Sequence, residues 1–104
     1  MVLGLMTIDE FKLSVSQDIP PPDISPALNA LWHDARGDWE AAHRVAQAIE
    51  DETGAWIHAY LHRKEGDPGN AAYWYRRARQ PVAHDSLPDE WSRIVSAIFA
   101  QLGA

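Results

Sequence analysis

Residues 59–71 read AYLHRKEGDPGNA, and 29 positions earlier residues 30–42 read ALWHDARGDWEAA. Ala30 matches Ala59, His33 matches His62, Gly37-Asp38 matches Gly66-Asp67, and Ala42 matches Ala71. The apolar positions repeat as well, with Leu28, Leu31 and Trp32 standing where Ile57, Tyr60 and Leu61 stand later. Small residues recur where two helices must approach closely. A glycine–aspartate pair recurs where one helix stops and its partner begins, since glycine takes the left-handed conformation and aspartate caps the next helix. One repeated helical hairpin, Pro26–Glu50 and then Ala55–Arg79, accounts for the whole pattern.

Outward from this pair, cap and turn signals divide the rest of the chain. Thr7-Ile8-Asp9-Glu10 fits a capping box and predicts a short helix over Ile8–Val15. DIPPPDISP, residues 18–26, predicts a stiff extended linker, because proline fixes φ and removes an amide donor. Ser25-Pro26 and Asp67-Pro68 each supply an N-cap with proline at the first helical position. DETG, residues 51–54, reads as a break between the hairpins. A last helix starts near Leu87, and its Trp91, Ile94, Val95, Ile98 and Leu102 form an amphipathic stripe. No segment alternates with period two. The expectation is an all-α single domain over residues 1–104: two stacked hairpins at 26–80, a short N-terminal helix with its linker at 1–25, and a capping helix at 87–102.

Composition excludes several functions. The chain has 104 residues, 46% of them hydrophobic, which suits one folded domain with one core. Its net charge of −6 opposes nonspecific nucleic-acid binding, which needs cations to displace counterions. Five of its nine cations nevertheless fall in one window: Arg63, Lys64, Arg76, Arg77 and Arg79. There is no cysteine, so no disulfide framework and no thiolate ligand or nucleophile. MVLGLMTIDEF at the start lacks a basic n-region and a cleavage pattern, and Met6 is an alternative start that would make Met1–Leu5 a ragged extension. No apolar run reaches the ~18 residues that span a bilayer. A cytoplasmic protein with no membrane partner is expected.

The two hairpins resemble tetratricopeptide repeats, in which a small residue, a Gly-Asp turn and an alanine follow at these spacings. AAYWYRRA, residues 71–78, is similar to the Ala-x-x-Trp-Tyr-x-x-Ala signature of the Sel-like subclass. The likeness covers residues 26–80, with Ala46 where the second hairpin has Tyr75 and an offset below the usual ~34 residues. The whole chain also resembles small bacterial proteins of about this length. The repeat resemblance implies a groove between hairpins that receives a protein segment, and the whole-chain likeness supplies no activity.

HAYLHRKEGD, residues 58–67, carries the candidate chemistry. His58, His62 and Glu65 lie at i, i+4 and i+7 on one helical face, where a histidine pair and a carboxylate could hold a metal ion. The zincin pattern needs a glutamate directly after the first histidine, and Ala59 stands there. The repeat alignment turns His62 toward a neighbouring helix, whereas the helical wheel leaves it on the less apolar side. Helix packing is the expected role of both histidines, with no cofactor. His33, Asp34, Asp38 and His43 could be drawn as an acid–base cluster, but Asp38 reads as a cap, and Asp34 and His43 read as exposed.

Tyr73, Trp74 and Tyr75 cannot all face one way; Trp74 and Tyr75 are expected to pack and Tyr73 to lie nearer the surface. Aromatic and arginine side chains dominate binding hot spots. The expected contact strip is therefore Tyr73, Arg76 and Arg77, flanked by His58 and His62, on a non-enzymatic module that binds a protein or peptide. Two other classes compete: a small histidine-based, metal-dependent enzyme, and a homo-oligomeric structural or regulatory protein joined through Ile94, Ile98 and Phe99.

Overall fold

Capping side chains set the starts of the helices, and a computed structural model describes the result for residues 6–103. The apolar start at Met1–Leu5 lies outside the described residues. Helix α1 spans Ile8–Ser14, where Thr7 Oγ1 accepts from Glu10 N and Glu10 Oε1 accepts from Thr7 N, the full capping box. Helix α2, Pro26–Ala35, starts on Ser25, and α3, Trp39–Gln47, starts on Asp38. Helix α4 covers Glu52–Glu65, α5 covers Pro68–Ala78 from its Asp67 cap, and α6 covers Leu87–Gly103. Among the described residues there is no strand, so the chain is all-α.

The two glycine–aspartate turns are built alike. Gly37 and Gly66 have φ of 85° and 89°, and the amides of Asp38 and Asp67 both donate to the carbonyl five residues back, His33 and His62, at 2.9 Å. A β-carbon is costly at that φ, which is why glycine stands there. The DETG segment departs from expectation. Asp51 caps α4 by accepting from Gly54 N, so Glu52, Thr53 and Gly54 form its first turn instead of a break, while α3 ends at Gln47. Gly54 is needed for a steric reason: a β-carbon there would lie 2.2 Å from the Ile49 carbonyl oxygen.

Helix α4 is the hub. It packs against α2, α3, α5 and α6, and Gly54 through His62 are all buried. A helix enclosed on every side has no solvent face, so wheel arguments about its polar side fail. Alanines line the close approaches: Ala30, Ala42 and Ala59 are fully buried, as are Ala46 and Tyr75 at equivalent places. Helix α6 buries Ile94, Val95 and Ile98 against α4 and α2, and Trp91 Nε1 donates to the Leu31 carbonyl at 3.0 Å. Leu102, the last residue of the expected stripe, is instead exposed. Helix α1 lies on α6 through Phe11, which meets Trp91 and Phe99 at ring separations of 6.0 and 6.2 Å. Ile94 and Ile98 are therefore core residues of this chain and not free for an interface between copies, and Phe99 packs on the same core. No helix among the described residues is long and apolar enough to cross a membrane.

Two buried carboxylates tie the helices together. Glu90 of α6 is 0% exposed and accepts from Trp56 Nε1 at 3.1 Å, Tyr75 Oη at 2.6 Å and Arg63 at 2.8 Å. Asp34 of α2, expected at the surface, is 2% exposed, with Tyr60 Oη and Lys64 Nζ donating to its two oxygens at 2.8 and 2.9 Å. A buried charge survives only when paired and hydrogen-bonded, and both are. Burial and these carboxylates push the Tyr60 and Tyr75 hydroxyls well above the usual tyrosine range, so both stay protonated as donors.

Candidate functional site

Helix α3 meets α4 through imidazoles. His43 of α3 and His58 and His62 of α4 place one ring nitrogen each within 4.8 Å of one another. His43 Nε2 and His58 Nε2 are 3.0 Å apart, close enough that one must donate and the other accept. The i, i+4 spacing stacks the rings of His58 and His62 at 4.8 Å, and His43 meets both edge-on at 4.6 and 5.3 Å. His58 and His62 are each 7% exposed and His43 is half-buried.

Indoles and one carboxylate hold the three rings. Trp39 stacks on His43 at 4.9 Å and 10°, and its own Nε1 donates to the Leu61 carbonyl at 2.8 Å, so the platform is fixed to α4. Trp74 of α5 stacks on the far side at 3.9 Å from His58 and 12°. Glu65 Oε2 lies 2.8 Å from His62 Nδ1. A carboxylate only accepts, so Nδ1 carries a proton and donates it to Glu65. Burial, and secondarily the imidazoles of His43 and His62, lower the pKa of His58 to about 4. Burial and His62 lower that of His43, against a raising influence from Glu65. Both rings are therefore neutral at neutral pH, with lone pairs available.

The sequence reading paired His58 and His62 with Glu65 on one face. All three do sit together, but Glu65 holds the back of His62, and the third ring pointing inward belongs to His43. The repeat alignment had the better orientation of His62, which faces α3. The drawn acid–base cluster is dispersed: His33 meets Trp32 edge-on at 5.3 Å, Asp34 serves Tyr60 and Lys64, and Asp38 caps α3. His43 was missed as a partner because it is fifteen residues from His58 and on another helix. A readable signal existed: α3 buries Ala41, Ala42 and Ala46, and small residues let a neighbouring helix come close enough for flanking side chains to meet.

Trp74 continues the cluster to the surface. Tyr73 is 42% exposed, as expected, while Tyr75 is buried and Trp74 half-buried. The Arg77 guanidinium lies 5.2 Å from the Trp74 ring and 5.9 Å from Tyr73, and donates to Tyr73 Oη at 3.1 Å. Arg76 lies 6.0 Å from the Tyr73 ring centroid. The rest of the basic window is neutralised: Arg63 by Glu90, Lys64 by Asp34, Arg79 by Glu52. Among the described residues, Arg76 and Arg77 have no carboxylate partner.

No protein-family model matches this chain, and neither a curated protein nor a solved structure matches it significantly.

Proposed function

We propose that the chain is a non-enzymatic, tetratricopeptide-like module that recognises an acidic polypeptide segment through Tyr73, Arg76 and Arg77. The carrying observation is the arginine pair on its aromatic platform, without a carboxylate partner among the described residues of a protein of net charge −6. Arginine stacked on an aromatic face is pre-organised, and its fork fits a carboxylate in two places at once. Tyr73 supplies apolar area with a hydroxyl handle. The identical Gly37-Asp38 and Gly66-Asp67 turns, with α2 packed on α3 and α4 on α5, support the repeat reading.

The test is affinity purification from the native host with wild type and a Tyr73→Ala/Arg76→Ala/Arg77→Ala variant of unchanged circular dichroism. The expected result is an acidic polypeptide lost with the variant. Made as a synthetic peptide, it should bind wild type with an affinity that falls as salt rises. Equal recovery by both proteins refutes this surface, and small-molecule turnover refutes the class.

A further inference from the structure

We propose that His43, His58 and His62 form a three-imidazole site for a late first-row divalent metal ion, with zinc the foremost candidate. This goes beyond the peptide-binding reading; Trp74, stacked on His58, and Arg77, on the neighbouring cavity wall, lie between the two surfaces.

Four features of the cluster point to a cation. The first is geometry. Bonds of about 2.0–2.1 Å to a tetrahedral zinc set its ligand nitrogens roughly 3.3 Å apart. The ring nitrogens here already lie within 4.8 Å of one another, with two of them at 3.0 Å. These separations bracket the value that the ion requires.

The second is the outer shell. Zinc-ligating histidines characteristically give their other ring N–H to a carboxylate or carbonyl, which fixes the tautomer and raises the basicity of the ligating nitrogen. Glu65 is placed to do this for His62 through Nδ1, which makes Nε2 the nitrogen to offer an ion. Trp39 and Trp74 clamp the planes of His43 and His58, and Trp39 is itself anchored to Leu61. Rings held at their planes lose little rotamer freedom on binding an ion.

Charge is the third. A cavity of about 350 Å³ opens beside His58, and its wall carries Glu50, Asp51 and Glu52, the last paired with Arg79, alongside Arg77. That wall favours the approach of a cation over an anion.

Ligand chemistry is the fourth, and it chooses the metal. An all-imidazole set without thiolate suits zinc, copper(II), nickel or cobalt, and an all-oxygen ion such as magnesium or calcium finds no partner in it. Three protein ligands leave the fourth tetrahedral position open, the arrangement of a site that exchanges a ligand and not of a closed structural centre.

The experiment uses the full chain, with any affinity tag removed and metal stripped by chelator. Zn²⁺ uptake is measured by calorimetry, and Co²⁺ uptake by the visible absorption that tetrahedral cobalt gives. The expected result is one ion per chain for both metals. His43→Gln, on the half-buried member, should weaken binding by at least the ~10–100-fold typical of losing an outer-shell partner. Glu65→Gln should weaken it within that range. His33→Gln and His84→Gln, outside the cluster, should bind as wild type does. Circular dichroism establishes that each variant is folded. Absence of stoichiometric uptake of either ion overturns the proposal, as does equal affinity of wild type and His43→Gln. Peptide docking and metal uptake are separate measurements, so the failure of one leaves the other standing.

Discussion

Replacing Glu90 by glutamine removes one charge and almost no volume, and the consequences can be worked from its three donors. Trp56 Nε1 and Tyr75 Oη both point at Oε2, and Arg63 points at Oε1. Glutamine has one oxygen to offer and an amide that only donates. With its oxygen toward Trp56 and Tyr75, the amide faces the Arg63 guanidinium, and a charged hydrogen bond worth about 1.5–3 kcal/mol is lost. With its oxygen toward Arg63, the amide faces the indole N–H, which cannot reverse. Either way the expected destabilisation is about 2–3 kcal/mol. For a domain of this size that lowers Tm by roughly 10 °C or more. Glu90→Ala adds a cavity and strands the Arg63 charge, so about 3–5 kcal/mol is expected. Urea titration followed by far-ultraviolet circular dichroism measures both. A cycle with Arg63→Met separates the charge: in that background Glu90→Gln should cost markedly less. If Glu90→Gln unfolds within 0.5 kcal/mol of wild type, the carboxylate is not the joint between α4, α5 and α6 described here, a threshold set by ordinary surface substitutions staying within about that range.

Gly54→Ala places a methyl group 2.2 Å from the Ile49 carbonyl oxygen, and backbone does not yield cheaply. A loss of about 1–3 kcal/mol in a urea melt is expected. Gly66→Val meets no neighbour but must hold φ near 89°, so about 1–2 kcal/mol should disappear through strain alone, with Gly37→Val behaving alike. Acid should weaken the metal-free fold in a defined window. His58 titrates near 4 when folded against 6.5 ordinarily, and His43 is lowered too. The unfolded chain therefore binds more protons between those values. The His58 contribution is fully present above about pH 6.5 and declines as pH falls toward 4, by at most on the order of 1 kcal/mol per pH unit, and His43 acts in the same direction. Unfolding midpoints at pH 7.5, 5.5 and 4.5 measure it, and a His43→Gln/His58→Gln variant should show a flatter profile.

Local chemistry was legible in the sequence. Thr7 with Glu10, Ser25 with Pro26, Asp38 and Asp67 each act within three residues, and so do the left-handed glycines, so their roles can be read without knowing the fold. The burial of Tyr75 and the exposure of Tyr73 followed from adjacent aromatics on one helix. What escaped depends on distance along the chain. Asp34 reads as a surface residue until Tyr60 and Lys64, 26 and 30 positions later, arrive to satisfy it. Glu90 is likewise an ordinary first-turn acid until three donors from α4 and α5 enclose it. The histidine cluster was half visible, because His58 and His62 lie on one helix while His43 comes from another. DETG was misread for a different reason: Gly54 resembles a helix breaker, and only its close approach to Ile49 explains a glycine inside a first turn.

The Glu90 junction has a bearing on how the chain reaches its fold. Repeat arrays with only neighbour-to-neighbour contacts can mature one unit at a time. Here the hairpin of α4 and α5 presents an indole N–H, a phenol and a guanidinium that stay unmatched until α6 swings in from the far end of the chain. Phe11 then closes α1 over that same helix. These donors are thus fully matched only in the complete molecule, and the slowest amide protons to exchange should be those of α4, released only when the entire molecule opens.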